Sequence, residues 1–300
     1  MTKLFMAALA GALTLFAAEI PQEAREAIDK AVPQKAAARA KKHRKLLIMN
    51  LHVVDGKRVQ GHASIPYADY AFEKMGQVTG AYETVFSDDV AMFAPEKVRQ
   101  FDAVCFLNTA GVLTEDKGLR QSLLDFVGGG KGWIGVHAGG GATFVQYPKY
   151  DQFPEFGEMI GGYENGGHPW KPQEKIYIKV DDPRSPVAAA FGGKNFETAD
   201  EVFQFQAPWS REKVHVLVSI DADKTDLDPK RHFLPERMKD KDFALSWIRN
   251  YGKGRIFLTS FGHNIEIYEN PAMLAHFLAG IQFALGDLKA DATPSAGASR

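Results

Sequence analysis

Cysteine is almost missing from this chain, with Cys105 the only one in 300 residues. A single cysteine excludes an intramolecular disulfide and leaves no room for a cysteine-based zinc site. A charge surplus is missing as well. Lys and Arg number 36 against 37 Asp and Glu, a formal net charge of −1, which excludes nucleic acid as the main partner because phosphate neutralisation needs a basic excess. The same balance, joined to 45% hydrophobic residues, excludes wholesale disorder, which requires low hydrophobicity and high net charge. Several catalytic signatures are also lacking: there is no GxSxG elbow, no HExxH and no GxxxxGK[ST]. The run Gly128-Gly129-Gly130 follows a helix-like stretch and precedes a strand-like one. That order is the reverse of a phosphate loop or dinucleotide fingerprint, so the run reads as a turn. An enzyme or binding protein of ordinary globular composition remains.

The ends of the chain differ from its body. Residues 1–18 (MTKLFMAALAGALTLFAA) carry one basic residue, Lys3, and then an apolar-to-small run. This is the pattern of a secretory signal, with cleavage expected after Ala17 or Ala18, and it predicts an exported, periplasmic or extracellular protein. The run is too short and alanine-rich for a membrane span, so none is expected once the signal is removed. Residues 19–45 are rich in Ala, Glu, Gln and Lys without an evident apolar stripe, which predicts a surface helix or tether. The small, polar end of the chain, residues 287–300, is expected to be disordered.

Between residues 46 and 286 strand and helix patterns alternate. LLIMNLHVV (46–54) reads as a strand buried on both faces, followed by a helix over 66–76 and strands over 82–86, 102–108 and 132–137, with a helix over 117–127 before the last. The pattern predicts an α/β domain whose mostly parallel central sheet has helices on both faces, and ligands in such a sheet bind beyond the carboxyl ends of the strands. His52, Asn108 and His137 stand at those ends. The second half reads as strands over 176–180, 201–205, 214–220, 243–248 and 255–261 with few helices between them, an antiparallel extension of the sheet. Asn270-Pro271, a capping residue followed by proline, opens a final helix to Leu285. With no internal repeat or linker, one domain is expected over 46–286.

Five histidines stand out by their surroundings: His52, His62, His137, His168 and His263. His137 ends a buried strand and precedes Gly139-Gly140-Gly141, where small residues permit a tight turn and close approach of a ligand to the backbone. His62 precedes a helix start, His168 sits in a glycine-rich loop, and His263 follows a strand. A lone loop histidine is most often solvated or locally hydrogen-bonded, but several at the ends of neighbouring strands can converge. His43, His215, His232 and His276 lack such context and read as structural. Asp200-Glu201 offers a carboxylate for acid–base work or metal ligation, although a charged strand end is the commoner meaning of such a pair. Trp170, Phe203 and Trp209 can form an apolar platform, but aromatic residues here are more often core.

The segments GHASIP (61–66), FLNTAG (106–111), GGGKGWIGVHAGGG (128–141), GGYENGGHP (161–169), ADEVFQF (199–205), VHVLVSID (214–221) and GKGRIFLTSFGHN (252–264) occur in an order that resembles ThuA-like, trehalose-utilisation proteins. The resemblance covers 46–286 and implies a three-layer, flavodoxin-like fold of the class I glutamine amidotransferase type. In amidotransferase-like folds the strand-to-helix elbow is Gly-x-Cys-x-Gly; here it is Gly135-Val136-His137-Ala138-Gly139, with Cys105 in mid-strand. Glutamine amidotransferase chemistry is therefore not expected. The family implies work on trehalose-like or keto-disaccharides, whose carbonyl acidifies neighbouring C–H bonds. His62, His137, His168, Glu201 and His263 match the family's recurrent polar positions, whereas Ala63 stands where relatives often carry Asp, and Asp242-Phe243 where many have His-Pro.

The expectation is an exported carbohydrate-processing protein using acid–base, metal-assisted chemistry on a small-molecule sugar. His62, His137 and Glu201 are the candidate catalytic residues, and Asn108, His168 and His263 the candidate substrate ligands. His62, His137 and His263 are the candidate metal ligands, with zinc the metal that imidazole donors favour. Two other classes remain open: a non-catalytic sugar-binding accessory protein, and a hydrolase or amidase with Ser64 or Thr109 as nucleophile.

Overall fold

In the computed structural model, which describes residues 20–146, 152–164 and 167–295, helix α1 (Gln22–Ala31) leads into strand β1 (Lys45–Met49). All four apolar residues of β1 are buried, Leu46 and Ile48 on one face and Leu47 and Met49 on the other, as the two-residue period of a strand requires. The apolar run does not continue as one strand to Val54. It breaks at Asn50-Leu51 and turns into a hairpin of β2 (His52–Val54) and β3 (Lys57–Val59) around Asp55-Gly56, both at positive φ.

The chain continues through α2 (Ile65–Thr79), β4 (Glu83–Ser87), α3 (Pro95–Val98), β5 (Ala103–Leu107), α4 (Lys117–Gly128), β6 (Gly132–Val136) and α5 (Ala138–Gly141). Next come α6 (Pro154–Ile160), β7 (Tyr163–Glu164), β8 (Lys175–Val180), β9 (Phe196–Ala199), β10 (Phe205–Gln206) and β11 (His215–Ile220). The last elements are α7 (Pro235–Asp240), β12 (Ala244–Tyr251), β13 (Gly254–Thr259) and α8 (Pro271–Ala284), the last capped by the Asn270 side chain as its sequence predicts. Nine strands form one sheet in the order β4-β1-β5-β6-β13-β12-β11-β8-β9. The first five are mutually parallel and the rest antiparallel. Helices α1, α2 and α8 cover one face through Ile28, Phe72 and Phe277; α3, α4 and α6 cover the other through Val98, Leu123 and Phe156. This is the expected three-layer α/β fold with an antiparallel extension.

Three expectations are corrected. Residues 201–204 are not in a strand: β9 ends at Ala199, and the buried Asp200 draws the chain off the sheet by accepting from the backbone N–H groups of Gly262 and Asn264. The helix expected in 19–45 is present as α1, but it does carry an apolar stripe, since Ala24, Ile28 and Ala31 are buried at helical spacing. The end of the chain is packed as far as Ser295. The Asp287 carboxylate takes a two-pronged ion pair from Arg44, at 2.9 and 2.6 Å, and Ser295 exchanges hydrogen bonds with Val214 and Val216. Composition carries no sign of these contacts because two partners lie in distant segments. The expected signal segment, residues 1–18, and residues 296–300 lie outside the described residues. No helix among the described residues is long and apolar enough to cross a membrane.

His276 is a buried histidine of the structural kind. Its ring spans the Ser246 hydroxyl (3.0 Å) and the Val187 carbonyl (2.8 Å), and burial pulls its pKa from 6.5 down to about 4. Below pH 6.5 the unfolded chain takes up a proton that the folded chain refuses, so stability falls as pH drops from 6.5 toward 4. The expected loss from this residue is about 3 kcal/mol. Urea unfolding at pH 7 and pH 4.5 should show a shallower pH slope in His276→Gln than in the wild type.

Candidate active site

The parallel half of the sheet delivers its polar residues to one end. Asn108 follows β5, His137 follows β6, and the segment after β13 carries Gly262 and His263, while His62 reaches the same place from the loop before α2. His137 occupies an elbow at φ 49° and ψ −123°, a conformation that costs a non-glycine residue on the order of 1–3 kcal/mol. The glycines after it are there because of crowding: a Cβ on Gly139 would stand 1.8 Å from the Phe106 carbonyl oxygen. The elbow is held by the His137 N–H donating to the Thr259 carbonyl (2.9 Å).

Three imidazoles converge beyond the elbow. His62, His137 and His263 each offer a ring nitrogen, and these atoms lie within 4.8 Å of one another. The His62 ring stands edge-on to both others, with centroids 4.9 Å from His137 and 5.2 Å from His263. The His137 ring is fully buried; its Nδ1 lies 3.0 Å from the Ser260 carbonyl, and its Nε2 has no protein partner. A carbonyl accepts, so Nδ1 carries the proton and Nε2 presents a lone pair. Burial, reinforced by neighbouring imidazoles, holds His137 well below the usual histidine range and brings His62 down to about 4. Both rings are therefore neutral at pH 7, the state in which imidazole binds a metal. A fourth imidazole, His52, packs against His62 with its Nε2 on the Asn108 carbonyl.

The carboxylate beside this triad is Glu201, whose Oε1 is 3.8 Å from His263 Nε2 and 2.8 Å from His168 Nδ1. His168 spends its other nitrogen, Nε2, on Glu164 at 3.1 Å. Burial disfavours charge on His168, but bonds to two carboxylates outweigh it and raise the pKa to about 9. The same contact outweighs burial at Glu201 and holds its carboxyl below the usual range. His168 is thus an imidazolium with both N–H groups engaged, and it orients Glu201; the expected direct contact with substrate oxygens would require breaking one of these bonds. Glu164 was not singled out from sequence. Its position four residues before His168 in the GGYENGGH segment is the only local signal, and its place on β7 decides the contact.

Other residues form the support. Asp200 is fully buried, and its carboxylate accepts from Gly262 N at 2.7 Å and Asn264 N at 2.8 Å, caging the turn that carries His263. Burial pushes its pKa up to about 7 against the opposing pull of these N–H groups. Asn108 is also fully buried, with its amide nitrogen 3.3 Å from the Tyr268 hydroxyl. It lies in the floor under the site, and its amide oxygen is buried without a protein partner. Ser64 donates to the Gly262 carbonyl (3.1 Å), and Thr109 pairs with Thr143, so both candidate nucleophile hydroxyls are committed to structural bonds. Phe203 stacks under His137 with centroids 4.6 Å apart, while Trp170 and Trp209 are buried in the core. Cys105 is buried inside β5, and burial pushes its thiol pKa up, which suits an inert core residue.

With this geometry in place, comparison with known proteins becomes informative. The sequence profile of ThuA, described as trehalose utilisation, matches residues 50–284. The chain belongs to the ThuA family. Among solved structures, a protein described as ThuA-like from Bacteroides uniformis superposes with a TM-score of 0.62 at 21% identity, covering 82% of this chain and 93% of its own. Another, from Parabacteroides merdae, gives a TM-score of 0.59 at 17% identity, covering 84% and 93%. These likenesses show a shared fold. No curated protein matches the chain in sequence. Membership of the ThuA family supports a role in carbohydrate metabolism.

Removing the cage around the His263 turn tests how this ThuA site is held. Asp200→Ala leaves two buried backbone donors unpaired and should cost about 3 kcal/mol in denaturant unfolding. Asp200→Asn, which keeps one accepting oxygen, should cost less than half as much. Equal losses would overturn this expectation and show that one accepting oxygen alone gives the turn no support.

Proposed function

We propose that this ThuA protein is an exported enzyme that processes a trehalose-like or keto-disaccharide by metal-assisted acid–base chemistry. One observation carries the proposal: three imidazole nitrogens lie within 4.8 Å of one another, one of them a buried, partnerless Nε2, beside a carboxylate that is kept ionised. An unpaired buried lone pair is costly unless something occupies it, and a divalent cation, with zinc favoured by nitrogen donors, fits that position. His62, His137 and His263 would hold the ion, which supplies Lewis-acid stabilisation of negative charge on a sugar oxygen.

The chain's own residues account for the proton. In a keto-sugar the C–H bond next to the carbonyl is acidic, and Glu201 is placed to take that proton while the electron pair moves onto the carbonyl oxygen. His168 keeps Glu201 ionised and aimed, and Phe203 excludes water from beneath His137. Carbonyl-bearing sugars suit this arrangement better than unmodified trehalose, because among the described residues the carboxylate beside the cluster, Glu201, is ionised and is a base, not an acid that could protonate a glycosidic oxygen.

Metal content and turnover test the two halves separately. Elemental analysis of purified protein should give one zinc per chain, falling to near none in His137→Ala; absence of metal in both, even after zinc loading, would refute the metal site. Conversion of 3-keto-trehalose followed by NMR should fall by about a hundredfold or more in Glu201→Gln, with zinc content unchanged. Tight binding of the sugar without any turnover would instead favour a sugar-binding accessory protein.

A further inference from the structure

A cavity opens beside the histidine cluster, bounded by His52, and the proposed function makes no use of it. The chain runs from β1 outward to β4 and then crosses back to β5 on the other side of β1. The gap between β1 and β5 is therefore where the strand order reverses, the place where open α/β sheets bind ligands. A cavity of about 250 Å³ lies just beyond the carboxyl ends of those two strands. His52 forms its inner wall and touches the His62 ring, with centroids 5.0 Å apart.

The lining is aliphatic. Val53, Val54, Ala110, Val112 and Val145 all contribute to its wall. Its polar side chains are few and engaged: His52 Nε2 lies on the Asn108 carbonyl, and Gln146 reaches Asp55 at 3.5 Å across the rim. A sugar ring placed here would leave hydroxyl groups without partners, a cost an apolar group avoids. An apolar cavity of about 150 Å³ already accommodates benzene, so this one has room for a single aromatic ring or a short alkyl chain. Val54 is 56% exposed, one of only three large hydrophobic residues exposed among those described, and Val59 of the same hairpin is another. Of these Val54 lines the cavity, and an exposed valine at its rim suits a wall that contacts a ligand.

We infer that this cavity is a subsite for an apolar substituent of the sugar substrate, an aryl or alkyl aglycone whose sugar ring reaches the histidine cluster past His52. The inference rests on the carbohydrate reading of that cluster and narrows it from free disaccharides toward glycosides with an apolar aglycone. Val54 and Val112 set the preference.

Methyl-labelled full-length protein, with Val54 and Val112 resonances assigned through the variants below, reads the cavity directly. Phenyl glucoside should shift both resonances and bind at least about tenfold more tightly than methyl glucoside. Val54→Asp, at an exposed position that does not burden the fold, should reduce that ratio to near one while leaving methyl glucoside affinity unchanged. Val112→Asp should do the same, with its melting curve recorded alongside. Phenol alone separates the two readings: shifts with phenol but with neither glucoside would uphold the apolar cavity and overturn its use as a glycoside subsite. The inference fails if neither phenol nor phenyl glucoside moves these resonances, or if both Asp variants keep the aryl preference. It also fails if the resonances shift with protein concentration alone, which would assign the surface to a second copy of the chain.

Discussion

The hydrogen bond from the His137 ring to the Ser260 carbonyl is the contact on which the reactive end of this molecule depends. It decides which ring nitrogen carries the proton, and so which one faces the other histidines with a free lone pair. The bond exists only because β6 and β13 run side by side and parallel, so that the carbonyl just past one strand meets the side chain just past the other. The strained backbone at His137 persists for the same reason: the strand pairing on both sides, the close-packed glycines and the Phe203 ring beneath leave it no alternative.

Burial acts on His62, His137, His168 and Glu201 alike, yet the outcomes diverge according to the partners. His62 and His137 have other imidazoles as neighbours, and desolvation keeps them neutral. His168 is more exposed than either, but it bridges two carboxylates, and the pairing makes it a fixed positive charge. Two neutral imidazoles, His62 and His137, thus stand beside an ionised Glu201. The loops that carry these groups are pinned in turn, Asp200 gathering the turn after β13 and the Ser64 and Tyr268 hydroxyls sharing the Gly262 carbonyl.

Legibility from sequence followed the range of the interactions. The buried strands β1, β5 and β6 announced themselves through continuous apolar runs, and α8 through its cap and apolar face, because those signals are local. His62, His137, His168, Glu201 and His263 could be named because they stand beside recognisable strand ends or in family-like segments. The hairpin hidden inside 46–54 was missed because its valines continue the apolar run of β1, and the non-strand path of 201–204 because its cause, Asp200 reaching the 262–264 turn, is long-range. Glu164 and the packing of the chain's end escaped for the same reason.

Taken alone, the amino-acid sequence determined the fold class and the family, because hydrophobic periodicity and ordered motifs are properties of neighbouring residues. Only the tertiary structure decided that three histidines from three distant segments meet, that one of their nitrogens is buried without a partner, and that His168 serves Glu201. Those facts depend on the parallel register of strands far apart in the chain, and on the exclusion of water that this packing brings about. No local pattern encodes either.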